Sequence, residues 1–211
     1  GGLSSLSEEQ HLERVKAVAE VIPVVGFYLQ PSVGGRIFSY SFWRQLAEIE
    51  GVIAIKIAPF NRYQTIDVVR AVCNSSRRDE IALYTGNDDN IVNDLLTTYR
   101  FQVDGKTVEK KIVGGLLGHW CVWTKKAVEL LEEIKKVRNS ETLSAEWYTR
   151  NIEVTEANAA FFDPAHNFAG CIPGIHEVLR RQGLMQGTWC LNPHEVLSPG
   201  QSEEIDRIYR E

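Results

Sequence analysis

The sequence lacks the patterns that mark several large classes of protein. It contains no G-x-G-x-x-G and no G-x-x-x-x-G-K-[ST], the usual phosphate-binding motifs of nucleotide-binding sheets. Its longest apolar runs, such as VIPVVGFYL at 21–29, are far shorter than the roughly 20 residues of a membrane-spanning helix. Lysine and arginine never run beyond a pair, and the net charge is −5. The sequence therefore predicts neither a membrane nor a nucleic-acid partner.

Cysteine is scarce and shows no pattern. The four cysteines form no CxxC pair and no Cys/His cluster with zinc spacing; they are Cys73, Cys121, Cys171 and Cys190. We expect reduced thiols and a cytoplasmic location. With 44% hydrophobic and 24% charged residues, the 211-residue chain has the composition of an ordinary globular protein with a sizeable core.

Short β-branched apolar runs alternate with helical patterns over the first two thirds of the chain. Apolar runs without a polar face are typical of parallel strands that are covered on both sides. The predicted strands lie near 21–29, 52–58, 81–86 and 112–117. The predicted helices between and around them are 7–20, which opens with a Ser-x-x-Gln capping box, 41–49, Thr65–Cys73, 88–99 and 124–137. The segment FQVDGKTVEKK is predicted as a polar excursion.

From residue 141 onward the strand patterns stop and helical patterns follow one another. We therefore predict two regions, with four β/α units in 1–138 and a helical extension in 139–211. Four such units belong to an open doubly wound sheet or to part of a (β/α)8 barrel, and both place active sites at the carboxyl ends of the strands. Because the nucleotide motifs of the open sheet are missing, the barrel is favoured.

One strand carries a lysine where an apolar residue is expected. In VIAIKIA, Lys56 shares a face with Ala54 and Ala58, while the isoleucines share the other face. A desolvated lysine amine can attack a carbonyl to form a Schiff base. The alternative is a lysine that pairs with a buried carboxylate or extends to solvent at the strand end. Tyr28 closes the preceding predicted strand and could carry a proton for that chemistry, or merely pack.

These segments resemble a known family. PVVGFYLQPSVGG, FWRQLAEIEGVIAIKIA, ALYTGNDD and VGGLLGH are similar to the dihydrodipicolinate synthase and N-acetylneuraminate lyase family, class I aldolases built on a (β/α)8 TIM barrel. The family's Tyr-x-x-Pro and its I-x-G-I-K-like run match Tyr28 with Pro31, and Lys56. The resemblance implies that Lys56 forms the imine, that Tyr28 relays protons, and that Gly86 and Asp88 line the pocket. It also implies a homo-oligomer, such as a dimer or tetramer, and needs no cofactor or metal.

Two further residues are candidates from their positions. Arg62, just after the lysine strand, could bind a substrate carboxylate bidentately or lie at the surface. Gly115, in the last predicted strand, could let a ligand approach closely or serve tight packing. His119 follows that strand as a weaker acid/base candidate, beside two tryptophans that suggest a packed corner.

The sequence departs from the family in places. Leu29 stands where the family has asparagine, and Val33 where the synthase has arginine, which argues against dihydrodipicolinate synthesis itself. The resemblance covers only the second half of a barrel, so we expect the chain to be a piece of a longer polypeptide. The predicted function is a Schiff-base aldolase or lyase acting on a 2-oxo acid such as pyruvate, with a hydratase or decarboxylase as variants. The alternative is a non-catalytic, incomplete barrel that acts as an assembly or binding module.

Overall fold

The computed structural model describes residues 5–210, and they form an α/β fold. Four parallel strands make the main sheet in the order β1-β2-β3-β6. They are β1 (Val24–Leu29), β2 (Val52–Ala58), β3 (Ala82–Thr85) and β6 (Gly114–Gly115). In the chain between β3 and β6, two further strands pair antiparallel with each other in a separate sheet. They are β4 (Thr98–Val103) and β5 (Lys106–Lys111).

Eight α-helices occur in the described residues. They are α1 (Glu8–Ala19), α2 (Tyr40–Leu46), α3 (Arg62–Cys73), α4 (Ile91–Leu96), α5 (Thr124–Val137), α6 (Glu146–Phe162), α7 (Cys171–Arg181) and α8 (Gln201–Arg210). The capping box predicted for the first helix is confirmed, because the side chains of Ser7 and Gln10 bond each other's backbone amides. Within 5–210 no helix has both the length and the apolar character that crossing a membrane requires.

The predicted order of strands and helices is confirmed, but several bounds differ. The predicted helix 88–99 is only Ile91–Leu96, since Thr98 and Tyr99 already belong to β4, and the predicted strand 112–117 is reduced to Gly114–Gly115. The third predicted helix begins at Arg62 and not at Thr65, because Asn61 caps it with a side chain that accepts a hydrogen bond from the Gln64 amide. The polar excursion is not a loop: it forms the β4–β5 hairpin around Asp104 and Gly105, whose φ angles of 50° and 76° suit a tight hairpin turn.

The chain divides into two compact units. The first contains the chain through Asn87 together with Asp94–Gly115, and the second contains Asp88–Asn93 and the chain from Leu116 onward. The predicted boundary at residue 138 falls inside the second unit, because α5 groups with the helices that follow it.

One face of the main sheet is packed and forms the core of the first unit. Ile55, Ile57 and Leu83 on this face have no exposed surface, and neither do Val68 and Val69 of α3. Burying five aliphatic side chains of this size contributes roughly 10 kcal/mol before chain entropy is subtracted. Because successive residues of a strand point to opposite faces, the residues between these positions lie on the other face of the main sheet.

The second unit has its own core. Ala160, Phe161, Val178 and Ile205, from α6, α7 and α8, form a buried cluster, with Trp123 packed edge-on against Phe161 at a centroid distance of 5.1 Å. The amphipathic pattern of α7 and α8 accounts for this arrangement, because each helix turns one apolar stripe toward α6.

Candidate functional site

Lys56 occupies the middle of a row of four residues that crosses the main sheet. The strand register pairs Phe27 with Lys56, Lys56 with Tyr84, and Tyr84 with Gly114. Paired residues of parallel neighbours point to the same face, and their strands are about 4.8 Å apart. The face of this row is opposite to the packed face, since Ile55 and Ile57 flank Lys56 and are fully buried. Lys56 therefore points away from the helix-packed core.

An aromatic ring lies beside the lysine amine. The Nζ atom of Lys56 is 4.6 Å from the centroid of the Phe27 ring. Such a contact favours the charged form of the amine, because the ring face carries partial negative charge. Phe27 is itself 48% exposed, so the contact lies at the open side of the sheet.

The neighbours of Lys56 along its own strand are small, whereas its neighbours across the sheet are the aromatic residues Phe27 and Tyr84. Ala54 and Ala58 precede and follow it along β2, and Ala82 pairs with Ala54 on the next strand. Gly86 continues β3 beyond its last residue, and its amide donates to the carbonyl of Ile57 at 2.8 Å. The expectation of small neighbours thus holds along β2 only, because Phe27 and Tyr84 stand on either side of Lys56.

Tyr28 lies on the other face of the sheet, which corrects the expectation that it shares a pocket with Lys56. Its register partner is Ile57, and its side chain is 1% exposed. The ring packs against Trp43 and Phe38, at centroid distances of 4.7 and 6.4 Å. Phe27, one position earlier, takes the place beside the lysine. The geometry gives Tyr28 a packing role on the helix-covered side.

The hydroxyl of Tyr28 is buried and makes no hydrogen bond of standard geometry with residues 5–210. Burial raises the pKa of Tyr28, and the Phe38 backbone opposes that shift only in part. The Tyr28 hydroxyl is thus a buried polar group without a hydrogen bond of standard geometry.

Replacing Tyr28 with phenylalanine is therefore expected to keep the free energy of unfolding unchanged or to raise it by up to about 1 kcal/mol, since a buried polar group without a partner is removed. Urea unfolding of the two proteins at pH 7.5 checks this. A loss of more than about 1 kcal/mol would show that the hydroxyl has a partner after all.

A buried polar network lies at the carboxyl ends of β2 and β3. Asp94 has no exposed surface and accepts hydrogen bonds from the Thr85 hydroxyl at 2.7 Å, the Asn87 amide at 2.9 Å and the Tyr99 hydroxyl at 3.1 Å. It also forms an ion pair with Arg62. Burial, and secondarily the charge of Asp94, raise the pKa of Tyr99. The network satisfies a carboxylate that burial alone would strongly destabilise.

The side chain of Arg62 is therefore bound by a carboxylate of the protein itself. Its guanidinium pairs with Asp94, and its side chain is 37% exposed. The structure thus supplies a carboxylate partner for the arginine that the sequence offered as a carboxylate binder. Binding of a substrate carboxylate by Arg62 stays a prediction, and it would have to compete with this ion pair.

Asn87 gives the turn after β3 a structural role. Its side-chain oxygen accepts from the backbone amide of Phe60 at 3.1 Å, and its side-chain nitrogen donates to Thr65 at 3.0 Å. Phe60 has a φ of 52°, an unfavourable conformation for a large residue that this contact helps to hold. Asn87 therefore fixes the loop after β2 at Phe60, two residues beyond the last strand residue, Ala58.

The glycine of the last strand that lies on the face of Lys56 is not the one that the sequence analysis named. Gly114, not Gly115, belongs to the row of Lys56, whereas Gly115 pairs with Thr85 on the packed face. A Cβ atom added to Gly114 would lie 3.1 Å from Cε2 of Tyr84. The close approach anticipated at this pair of glycines is thus made by a tyrosine ring at Gly114.

Asp88 and His119 belong to the second unit. Asp88 is 8% exposed and accepts from the Asn158 amide at 3.2 Å. The Asn158 oxygen accepts from the His119 backbone amide and faces its Nδ1 atom, both at 3.1 Å. Burial lowers the pKa of His119 to about 4, and the bond to Asn158 offsets this only partly. His119 is therefore a neutral, buried residue at physiological pH.

Three residues of importance were missed by sequence reasoning: Tyr84, Asn87 and Asp94. Tyr84 sits in the run IALYTG, where a tyrosine is an unremarkable strand residue. Asn87 and Asp94 lie in a segment rich in Asn and Asp, residue types that are typical of helix caps. Their partners lie far away in the sequence: Lys56 for Tyr84, Phe60 for Asn87 and Arg62 for Asp94. Within 5–210, no group of three or more His, Cys, Asp or Glu residues is arranged to hold a metal ion.

Comparisons with known proteins identify the fold but not a family. No model of a protein family matches the sequence, and no curated protein matches it. Solved structures do match. One is dihydrodipicolinate synthase from the commensal bacterium Bacteroides thetaiotaomicron, with a TM-score of 0.70 and 14% sequence identity. The match covers 97% of this chain, and the chain spans 61% of the length of that structure.

Proposed function

We propose that the chain forms part of a Schiff-base aldolase or lyase, in which Lys56 forms an imine with a 2-oxo acid such as pyruvate. The observation that carries the proposal is the position of Lys56, on the sheet face opposite the packed core, between Phe27 and Tyr84 across the sheet and between Ala54 and Ala58 along β2. The similarity of fold to a dihydrodipicolinate synthase supports the same reading. Carbon–carbon cleavage or condensation, hydration and decarboxylation can all proceed through such an imine.

The four β/α units are proposed as half of a (β/α)8 barrel. The sequential parallel order of the main sheet is that of a barrel wall. In a barrel the face of Lys56 would be the interior, and the packed face would be the outside, under the helices. Assembly into a homo-oligomer, as a dimer or tetramer, stays a prediction.

The chemistry requires the amine of Lys56 to lose its proton before it attacks the carbonyl carbon. The attack gives a carbinolamine, which loses water to leave the imine. An imine withdraws electrons from the neighbouring carbon, and a bond to that carbon can then break. Gly86, just beyond the end of β3 on this face, is proposed to line the pocket through its lack of a side chain, since its amide is already bonded to the Ile57 carbonyl.

The test is reductive trapping. The protein is incubated with pyruvate and sodium borohydride, and its intact mass and peptide masses are measured. We expect one reduced pyruvyl group per chain, located on Lys56, and its loss in Lys56→Met. Lys110 is the matched control, because it is also partly buried, with its pKa lowered by burial. Lys110→Met should keep the adduct, and an adduct that persists in Lys56→Met would contradict the proposal.

A second candidate function is favoured by one observation. On the face of Lys56, Val25 and Phe27 are 57% and 48% exposed, which is unusual for strand residues of a central sheet. A non-catalytic assembly module would bury such residues against another protein. Failure of trapping together with concentration-dependent self-association, measured by light scattering, would favour this candidate.

A further inference from the structure

A groove of about 330 Å³ lies between α5 and α6 within the second unit. This volume is within the range of small-molecule sites in proteins. The groove is lined by a histidine, two tryptophans and three glutamates, which are His119, Trp120, Trp123, Glu129, Glu133 and Glu153. Two cations, Lys126 and Arg150, also line it. The lining therefore combines aromatic rings with an excess of one carboxylate over the cations.

The histidine of this groove has a fixed tautomer. The side-chain nitrogen of Asn158 donates to the Asp88 carboxylate at 3.2 Å, so it is the Asn158 oxygen that faces Nδ1 of His119, at 3.1 Å. Because an amide oxygen only accepts hydrogen bonds, Nδ1 carries the ring proton. Burial lowers the pKa of His119 to about 4, so the ring is neutral at pH 7. The other ring nitrogen, Nε2, therefore presents a lone pair.

This Nε2 atom is an acceptor without a partner. His119 is only 4% exposed, yet its Nε2 makes no hydrogen bond with any residue of 5–210. Unlike the Tyr28 hydroxyl, the atom is not sealed from solvent. Since His119 lines the groove, its free acceptor opens into that space. Buried polar side-chain atoms are usually hydrogen-bonded, and a ligand with an N–H group would complete this one.

The carboxylates of the groove are not all neutralised by the protein. Glu133 pairs with Arg150 at 2.6 Å, and Glu129 pairs with Lys126 at 3.1 Å. Glu153 is exposed and forms no ion pair with the part of the chain that the structure describes. An incoming ligand thus meets an unpaired carboxylate, a buried acceptor nitrogen and indole rings. All three favour a cation that carries N–H donors.

A guanidinium fits this set better than an ammonium. A guanidinium is planar, so it stacks on an indole with its face while its edge donates to acceptors. An ammonium is a compact and strongly hydrated charge without such a face. The wall of the groove already shows this chemistry, because the Arg150 guanidinium lies 4.7 Å from the centre of the Trp147 ring and pairs with Glu133.

We infer that the groove between α5 and α6 binds an alkylguanidinium cation. Nε2 of His119 accepts a hydrogen bond from an N–H of the cation, Glu153 pairs with its charge, and the indoles of Trp120 and Trp123 contact its apolar parts. Free small molecules and arginine side chains present the same cation. The site is independent of the chemistry proposed for Lys56.

The experiment follows the ring nitrogens of His119 by NMR in the ¹⁵N-labelled chain at pH 7.5. Ethylguanidinium is added at concentrations that leave the circular dichroism of the chain unchanged. We expect Nδ1 to be the protonated nitrogen before the addition. During the titration the Nε2 resonance should move in the direction of a hydrogen-bonded nitrogen and reach saturation. N-acetylarginine amide, added in a parallel titration, represents an arginine side chain.

Two control ligands separate charge from hydrogen bonding. Urea has the planar shape and the N–H donors of guanidinium but no charge, whereas tetramethylammonium has the charge but no donor. Neither should shift Nε2 of His119 at the concentration at which ethylguanidinium saturates it. A structural role of His119 alone would make the Nε2 resonance insensitive to all of these compounds.

Glu153→Gln tests the carboxylate, because it keeps the shape of an exposed side chain and removes its charge. We expect the Kd of ethylguanidinium to rise about fivefold, the upper range for an exposed ion pair. Glu146→Gln is the matched control, since Glu146 is also exposed on α6 but does not line the groove. Its Kd should stay within about twofold of the unmodified chain.

The outcomes decide the inference. A saturable shift of Nε2 with ethylguanidinium or with N-acetylarginine amide supports it, and the tighter of the two identifies the source of the cation. No shift with either compound overturns it, and so does a His119 ring that is protonated at Nε2 before the addition. Equal binding of tetramethylammonium, or equal weakening by Glu146→Gln and Glu153→Gln, would show that the groove responds only to charge, which also overturns it.

Discussion

Replacing Asp94 with alanine is expected to lower the free energy of unfolding by about 4 kcal/mol, because four partners lose their shared acceptor in a fully buried position. The hydroxyls of Thr85 and Tyr99 and the amide of Asn87 would each be left without it. The guanidinium of Arg62 would lose its carboxylate as well. Urea unfolding of both proteins, followed by circular dichroism at pH 7.5, measures the difference.

The matched control is Asp67→Ala. Asp67 also pairs with an arginine, Arg70, at 2.7 Å, but its side chain is 42% exposed and its partner 47%. An exposed pair of this kind contributes little, and we expect a change within about 0.5 kcal/mol. If Asp94→Ala and Asp67→Ala cost the same, the network at the ends of β2 and β3 does not stabilise the chain as its burial indicates.

Acidification is expected to destabilise the chain through His119. Burial lowers the pKa of this histidine to about 4, from an ordinary value near 6.5. In the unfolded chain the imidazole binds a proton below pH 6.5, whereas in the folded chain it stays neutral until about pH 4. Stability is therefore fully present above pH 6.5 and declines as the pH falls toward 4, by about 2.5 kcal/mol at pH 4.5.

The variant His119→Gln isolates this contribution. Its side chain keeps a donor for the oxygen of Asn158, which accepts from His119 at 3.1 Å, but does not titrate. The difference in unfolding free energy between the two proteins should change by about 2.5 kcal/mol between pH 7.5 and 4.5, in favour of the variant at the lower pH. Carboxylates, such as that of Glu48 with its pKa lowered to about 2, are common to both proteins and cancel. A difference independent of pH would contradict the buried, neutral state of His119.

Local patterns predicted the elements of the fold well. The Ser-x-x-Gln box at Ser7, the short β-branched strands and the long amphipathic α5 depend on residues that are close in sequence, and each was found at its place. The β4–β5 hairpin was missed although Asp104-Gly105 is a hairpin turn signal, because its strands are rich in lysine and other polar residues. Such strands show little of the apolar alternation on which the prediction relied.

Local sequence patterns predicted only part of the candidate site. Alternation along β2 established that Lys56 and the isoleucines point to opposite sides, since successive residues of a strand always do. It could not relate β2 to β1, because the faces of two strands are matched only by their register. In the structure that register contains an irregularity between Val24 and Val25, and it pairs Lys56 with Phe27 instead of Tyr28.

The sequence by itself determined the parallel α/β character of the chain, the order of its elements and the lysine within β2, all of which follow from local patterns. The tertiary structure alone decided which aromatic residues stand beside that lysine, and that Asn87 and Asp94 bind Phe60 and Arg62 of the segment that follows β2. The physical reason is that a register shift of one residue moves every side chain of a strand to the other face, and that buried polar groups find their partners only when distant segments meet.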